Sequence, residues 1–193
     1  GFETFQGDFM YFDSDLSKEE VFAKFAKVKP AHSFRSTWGY TNAAFGVAGE
    51  VVAKASGSTW ADYITKNIFL PLGMNRTRAL SVDITSATNR ASAHTVQNGE
   101  LKKIAYGNID NIAPAGSISS SASDLTHWVM AQLNNGKYED KQVIPASAIN
   151  QTRLPHSILG NGGTLYNKGH FALYGLGWFL EEYSGRKIVS HTG

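Results

Sequence analysis

No cysteine occurs among the 193 residues, which removes disulfides, thiol nucleophiles and thiolate-bound metal from consideration. No apolar run approaches the roughly 18 residues of a membrane span, so no transmembrane segment is expected. The opening stretch "GFETFQGDFMYF" lacks the basic start and small-residue cleavage site of a secretory signal. It reads like the interior of a protein. Charge of one sign is scarce too: 18 Lys plus Arg stand against 16 Asp plus Glu, interspersed along the chain, and leave no footprint for a nucleic-acid partner. Histidines 32, 94, 127, 156, 170 and 191 are scattered, with no pair spaced to put two ligands on one helix face. Neither a metal nor another cofactor is expected. The glycines at 160, 162 and 163 lack the Lys-Ser/Thr that follows a phosphate loop and are read as a loop, and no Gly-x-Ser-x-Gly elbow is present.

What is present is a core. The chain is 42% hydrophobic and 12% aromatic with 18% charged residues, the composition of one folded domain or a large part of one. Ser17 and Glu20 form a capping box ahead of Val21, Phe22, Phe25 and Val28, predicting a helix that stops near Pro30. From Asn42, the spacing of Phe45, Ala48, Val52 and Ala55 predicts a second, more apolar helix ending at Gly57. Ser58 is read as the cap of a third, closed by Pro71. Residues 81–110 read as irregular chain with short strands and a turn at Asn98-Gly99. "SASDLTHWVMAQLNNGKY" predicts a helix with Ser121 or Ser123 as cap, Leu125, Trp128, Val129 and Leu133 as its inner face, and Gly136 as its stop. Pro145 opens a short helix through Thr152. "YGLGWFLEEY" and "KIVSHTG" flank Ser184-Gly185 as a terminal β-hairpin. The expected class is α+β, with residues 1–155 a mainly helical lobe and 156–193 a loop and hairpin. A lone terminal hairpin is only marginally stable without more sheet beside it, which is read as a hint of truncation.

Two triplets carry chemistry: Tyr40-Thr41-Asn42 at the start of a helix and His191-Thr192-Gly193 at the end of a strand. Singly each is weak, since Tyr-x-Asn also reads as a turn tyrosine beside a capping asparagine. Taken in this order, with "GYTNAAFGVAGEVVAKASG", "IFLPLGM" and "APAGSISSSASDLTHW" between them, the chain resembles the serine β-lactamase and penicillin-binding-protein superfamily. The resemblance is to its class C branch, with related D-alanyl-D-alanine carboxypeptidases and esterases, and it covers nearly the whole chain.

That resemblance implies the helical lobe of a β-lactamase/transpeptidase-like fold, an acyl-enzyme mechanism and an exported bacterial protein. The family nucleophile is the Ser of a Ser-x-x-Lys motif upstream of Tyr-x-Asn. The sole match here, Ser184-Gly185-Arg186-Lys187, lies downstream in a hairpin turn and is read as coincidental, so the chain resembles a fragment without its nucleophile and is expected to be inert alone. By resemblance Tyr40 would relay the proton, Asn42 would hydrogen-bond the substrate amide, and His191 and Thr192 would line the opposite wall. Gly193 would let a substrate backbone lie along the strand edge, and Ser117 would help line the cleft. A phenol must be shifted by roughly three units, about 4 kcal/mol, to act as a base at neutral pH. Histidine in place of the commoner Lys of Lys-Thr-Gly makes the wall's cation conditional and favours ester or peptide substrates over β-lactams. The expected partners are a small-molecule or peptide substrate and the remainder of the domain. The alternatives are a non-catalytic relative that binds peptidoglycan-type ligands or a partner protein, and a helical interaction module without a pocket.

Overall fold

The computed structural model describes residues 1–12, 14–160 and 169–193; glycines 162 and 163 of the expected loop lie outside them. The chain divides into two compact units, each built from non-contiguous segments. One comprises Gly1–Thr4, Lys29–Tyr40 and Thr126–Gly193, the other Phe5–Val28 and Thr41–Leu125. The division therefore does not fall at residue 155. Residues 29–40 and 126–155, expected in the helical lobe, cluster with the sheet instead.

In the helical unit, α1 (Lys18–Phe25) begins with the expected capping box: the Ser17 amide donates to Glu20 Oε2 at 2.8 Å and the Glu20 amide to Ser17 Oγ at 3.2 Å. Val21 and Phe25 are its buried residues. Lys18 Nζ reaches Glu50 Oε2 of α2 (Asn42–Ser56) at 2.9 Å. α2 ends at Gly57, whose φ of 69° is the left-handed stop that glycine favours. Its buried face is not the expected one. Ala43, Gly46 and Gly49 are buried, whereas Phe45, Ala48 and Ala55 are exposed. The cause is close approach of the 3-10 segment Asp110–Ala115 and of Phe22 in α1: a Cβ at Gly49 would lie 2.0 Å from Pro114 Cγ, and one at Gly46 3.1 Å from the Phe22 ring and 3.5 Å from Ile112 Cβ.

Gly49→Ala should therefore destabilise the protein, although alanine is the better helix former by about 1 kcal/mol. The proline ring cannot swing aside, and overpacking of this kind costs about 1–3 kcal/mol, lowering the thermal midpoint by roughly 2–4 °C per kcal/mol. A circular-dichroism melt that is unchanged or raised would refute this packing.

α3 (Trp60–Ile64) is capped by Thr59, which accepts from the Asp62 amide at 3.0 Å, rather than by Ser58. It continues into a π turn over Thr65–Phe69. A 3-10 segment, Ser81–Ser86, follows, and β1 (His94–Gln97) pairs with β2 (Glu100–Lys103) across Asn98-Gly99, both at positive φ. The unit's core gathers Met10, Val21, Phe25, Ala43, Ile64, Phe69, Leu72, Met74 and Ile112.

α4 (Ala122–Leu133) carries the chain from this unit to the other. Ser121 is its cap, accepting from the Asp124 amide at 3.2 Å. Leu125, Val129 and Leu133 are exposed, while Asp124, Ala131 and Gln132 are buried. The helix is thus rotated from the expected face, because Asp124 is drawn inward by polar partners described below. The chain turns at Gly136 (φ 85°) into a two-residue hairpin, β3 (Lys137–Tyr138) with β4 (Lys141–Gln142), which the sequence reading did not anticipate. α5 (Ala146–Thr152) follows Pro145 as expected.

The sheet is antiparallel in the order β5 (Ser157–Gly160), β6 (Ala172–Tyr174), β7 (Phe179–Tyr183), β8 (Arg186–Ser190). The β7–β8 hairpin turns on Ser184 and Gly185, both at positive φ, as a two-residue hairpin loop demands. The hairpin does not stand alone: β6 pairs with β7 and β5 with β6, in a stretch expected to be loop. Arg153, after α5, donates through Nη2 to Gln132 O at 2.6 Å and Oε1 at 2.9 Å, tying α5 to α4.

Candidate active site

Tyr40 and His191, 151 positions apart, meet within the unit that contains the sheet. Register explains the position of the histidine. The β7–β8 ladder closes on the pair Phe179–Ser190, so His191 is the first residue beyond it, and its ring lies 5.5 Å from that of Phe179. Tyr40 is positioned from the chain's beginning: its amide donates to Thr4 Oγ1 at 3.2 Å. Gly39 before it packs so closely on Phe2 that a Cβ would fall 2.0 Å from the Phe2 carbonyl oxygen.

The phenol oxygen of Tyr40 is 3.4 Å from His191 Nε2, and His191 Nδ1 is 2.5 Å from the Thr192 carbonyl oxygen. A carbonyl only accepts, so Nδ1 carries the hydrogen in the neutral ring. That leaves Nε2 as acceptor for the Tyr40 hydroxyl. The phenol hydroxyl thus faces an acceptor nitrogen. Thr192 and Gly193 are exposed beside it.

Aromatic rings surround the pair. Trp38 lies 6.3 Å from Tyr40, 5.2 Å from Tyr174 and 6.2 Å from Phe179, and Tyr174 meets Phe179 edge-on at 5.0 Å, the geometry aromatic rings prefer. Tyr174 is buried, and its hydroxyl finds no hydrogen-bond partner among the described residues. Burial, and secondarily the proximity of Tyr40, push its phenol up to about 12. Tyr174 therefore stays neutral near neutral pH. The sequence reading missed Trp38, Tyr174 and Phe179, because their only signal is aromatic character, which a core residue carries equally.

Asn42 opens α2 in the other unit, where its Nδ2 donates to Asp8 Oδ2 at 2.8 Å. Asp8 is thus a partner of the Tyr-x-Asn motif that no local pattern revealed. Ser117 is a correction to the expected cleft lining. It is 3% exposed, and its hydroxyl lies 2.5 Å from the Ala79 carbonyl and 2.9 Å from that of Ala113. A hydroxyl so enclosed ties strands of the chain together and presents nothing to a ligand. Of the Ser-x-x-Lys at 184–187, Ser184 lies in the β7–β8 turn and Lys187 on β8, with Lys187 Nζ 3.4 Å from the Arg153 carbonyl oxygen. Among the described residues no group of acidic and histidine side chains could hold a metal, and no helix is long and apolar enough to cross a membrane.

Comparison with known proteins gives a consistent answer. The profile of the Beta-lactamase family matches residues 1–193. Penicillin-binding protein 4* of Bacillus subtilis is 30% identical over 168 residues, covering 81% of this chain and 34% of that protein. Among solved structures, a D-stereospecific amidohydrolase from Streptomyces sp. superposes with a TM-score of 0.71 at 21% identity, over 91% of this chain and 49% of that one. The octameric penicillin-binding protein homologue from Pyrococcus abyssi does so at 0.68 and 23%, over 91% of this chain and 38% of that one. The chain thus spans a third to a half of the length of these proteins.

Proposed function

Since the chain belongs to the β-lactamase family of serine hydrolases, we propose that it supplies two walls of a class C-like active site that works through an acyl-enzyme on D-amino-acid peptides, small esters or β-lactams. The observation that carries this reading is the Tyr40–His191 pair. A serine hydroxyl brought to Tyr40 would give its proton to the phenol oxygen as the phenol's own proton moves to His191 Nε2. This needs no free phenolate at rest. Asn42, Thr192 and Gly193 would align the substrate, with the exposed end of β8 as the edge along which its backbone lies. Histidine in place of a permanent cation favours ester and peptide substrates. An exported, bacterial setting belongs to the same proposal.

Within the 193 residues no Ser-x-x-Lys precedes Tyr40, and loss of a nucleophile costs on the order of 10⁶ in rate. The purified chain should therefore show no turnover of nitrocefin or p-nitrophenyl acetate above buffer. Turnover that Tyr40→Phe abolishes would overturn the incomplete-site reading. A longer form carrying an upstream Ser-x-x-Lys should be labelled by a fluorophosphonate or a fluorescent penicillin. Failure to label would favour the second reading, a non-catalytic module that binds peptidoglycan-type ligands or a partner protein.

A further inference from the structure

The helical unit holds a cleft that the Tyr40–His191 chemistry does not use. Its volume is about 550 Å³, and its walls bring Arg76, Arg78 and Arg90 together without any aspartate or glutamate among the lining residues. That volume suits a small molecule. Two carboxylates beside the lining are engaged by other donors: Asp124 accepts from the Arg76 amide and from the Thr77 and Ser121 hydroxyls, and Asp110 from the amides of Ser81 and Val82. No ion pair found among the described residues involves Arg76, Arg78 or Arg90.

Arg78 and Arg90 are held in place. Arg78 Nη1 donates to the Asn75 and Thr77 carbonyls at 3.1 and 3.0 Å, and Arg90 Nη1 to those of Thr85 and Ala87. Each is anchored through one nitrogen, and the others make no hydrogen bond among the described residues. The backbone of Arg78 pairs reciprocally with Ser119, at 2.8 and 3.0 Å. This fixes the arginine wall against the serine wall, which leads into the N-terminus of α4. Ile84 and Tyr106 supply an apolar side, with Asn89 as a further amide donor.

We propose that this cleft binds a phosphate monoester with a small apolar or aromatic body. A monocarboxylate would neutralise one guanidinium and strand the rest. A phosphoryl group carries close to two charges and three terminal oxygens, and it matches the forked donors of several arginines at once. The organic body would lie against Ile84 and Tyr106. This inference is independent of the proposed catalytic role, since none of its residues belongs to the Tyr40–His191 pair.

The test is calorimetric titration of the purified 193-residue chain with phenyl phosphate at low ionic strength, with benzoate as the monoanionic comparison. Saturable 1:1 binding is expected, at least tenfold tighter for phenyl phosphate than for benzoate. Arg78→Gln with Arg90→Gln should weaken it tenfold or more, and Lys18→Gln, outside the cleft, should leave it unchanged. Because Arg78 and Arg90 also brace backbone carbonyls, Arg76→Gln is the second variant. Its guanidinium makes no internal hydrogen bond among the described residues, so its loss should weaken binding while circular dichroism stays unaltered. Absence of binding, equal affinity for benzoate, or undiminished binding by folded Arg76→Gln would each overturn the proposal.

Discussion

Tyr40→Phe, in a form of the protein that carries both this chain and an upstream Ser-x-x-Lys segment, should lower kcat for p-nitrophenyl ester hydrolysis by about 10²–10⁴, the usual contribution of a positioned acid–base group. KM should change little, because the substitution keeps the ring and removes only the oxygen. The edge contact with Trp38 and the packing near His191 involve ring carbons, so the fold should survive unaltered. What is lost is the single oxygen 3.4 Å from His191 Nε2. Tyr174→Phe is the informative comparison. Its phenol, pushed up to about 12 first by burial and then by Tyr40, is neutral throughout the working range, so the pH–rate profile between pH 6 and 9 should be unchanged by that substitution. A Tyr40→Phe enzyme that keeps more than a tenth of the rate, or a Tyr174→Phe enzyme whose profile moves, would remove Tyr40 from the proposed relay.

Local chemistry was legible in the sequence; lateral packing was not. The Ser17–Glu20 box, the glycine stop at 57, the Asn98-Gly99 turn and the Ser184-Gly185 hairpin each depend on residues within a few positions of one another, and each stands where it was expected. The family motifs were legible for the same reason. The faces of α2 and α4 were not, because hydrophobic spacing assumes that large apolar residues mark the inside. In α2 the inside is marked by Gly46, packed tightly on the Phe22 ring, and by Gly49, where Pro114 comes too near for a side chain. In α4 it is marked by the carboxylate of Asp124. The meeting of Tyr40 with His191 needed the register of β7 on β8, and β5 and β6, of four and three residues, are too short to announce themselves.

Asp124 is the residue whose loss should damage the fold most. It is 4% exposed, and its carboxylate accepts from the Arg76 amide at 2.8 Å, the Thr77 hydroxyl at 2.7 Å and the Ser121 hydroxyl at 3.2 Å. Ser121 in turn caps α4. Asp124→Ala would leave these donors facing a void, at roughly 1–3 kcal/mol for each one stranded. A loss of about 3–5 kcal/mol is expected in urea unfolding, a large share of a typical domain's 5–15 kcal/mol or so. Asp124→Asn keeps the shape and one acceptor and should cost less. The pH dependence separates charge from shape. Burial alone would raise this carboxyl, but the hydrogen bonds from the Thr77 side chain, the Arg76 amide, the Ser121 side chain and the Thr77 amide outweigh it and hold the group below its ordinary value of 3.8. A carboxyl with a depressed folded value stabilises fully above its unfolded value and loses that stabilisation as pH falls through the folded one. The stability gap between the native protein and Asp124→Asn should therefore be constant near neutrality and narrow below about pH 4. A gap that stays constant down to pH 2 would mean that the shape of the side chain, and not its charge, holds Arg76, Thr77 and Ser121 together.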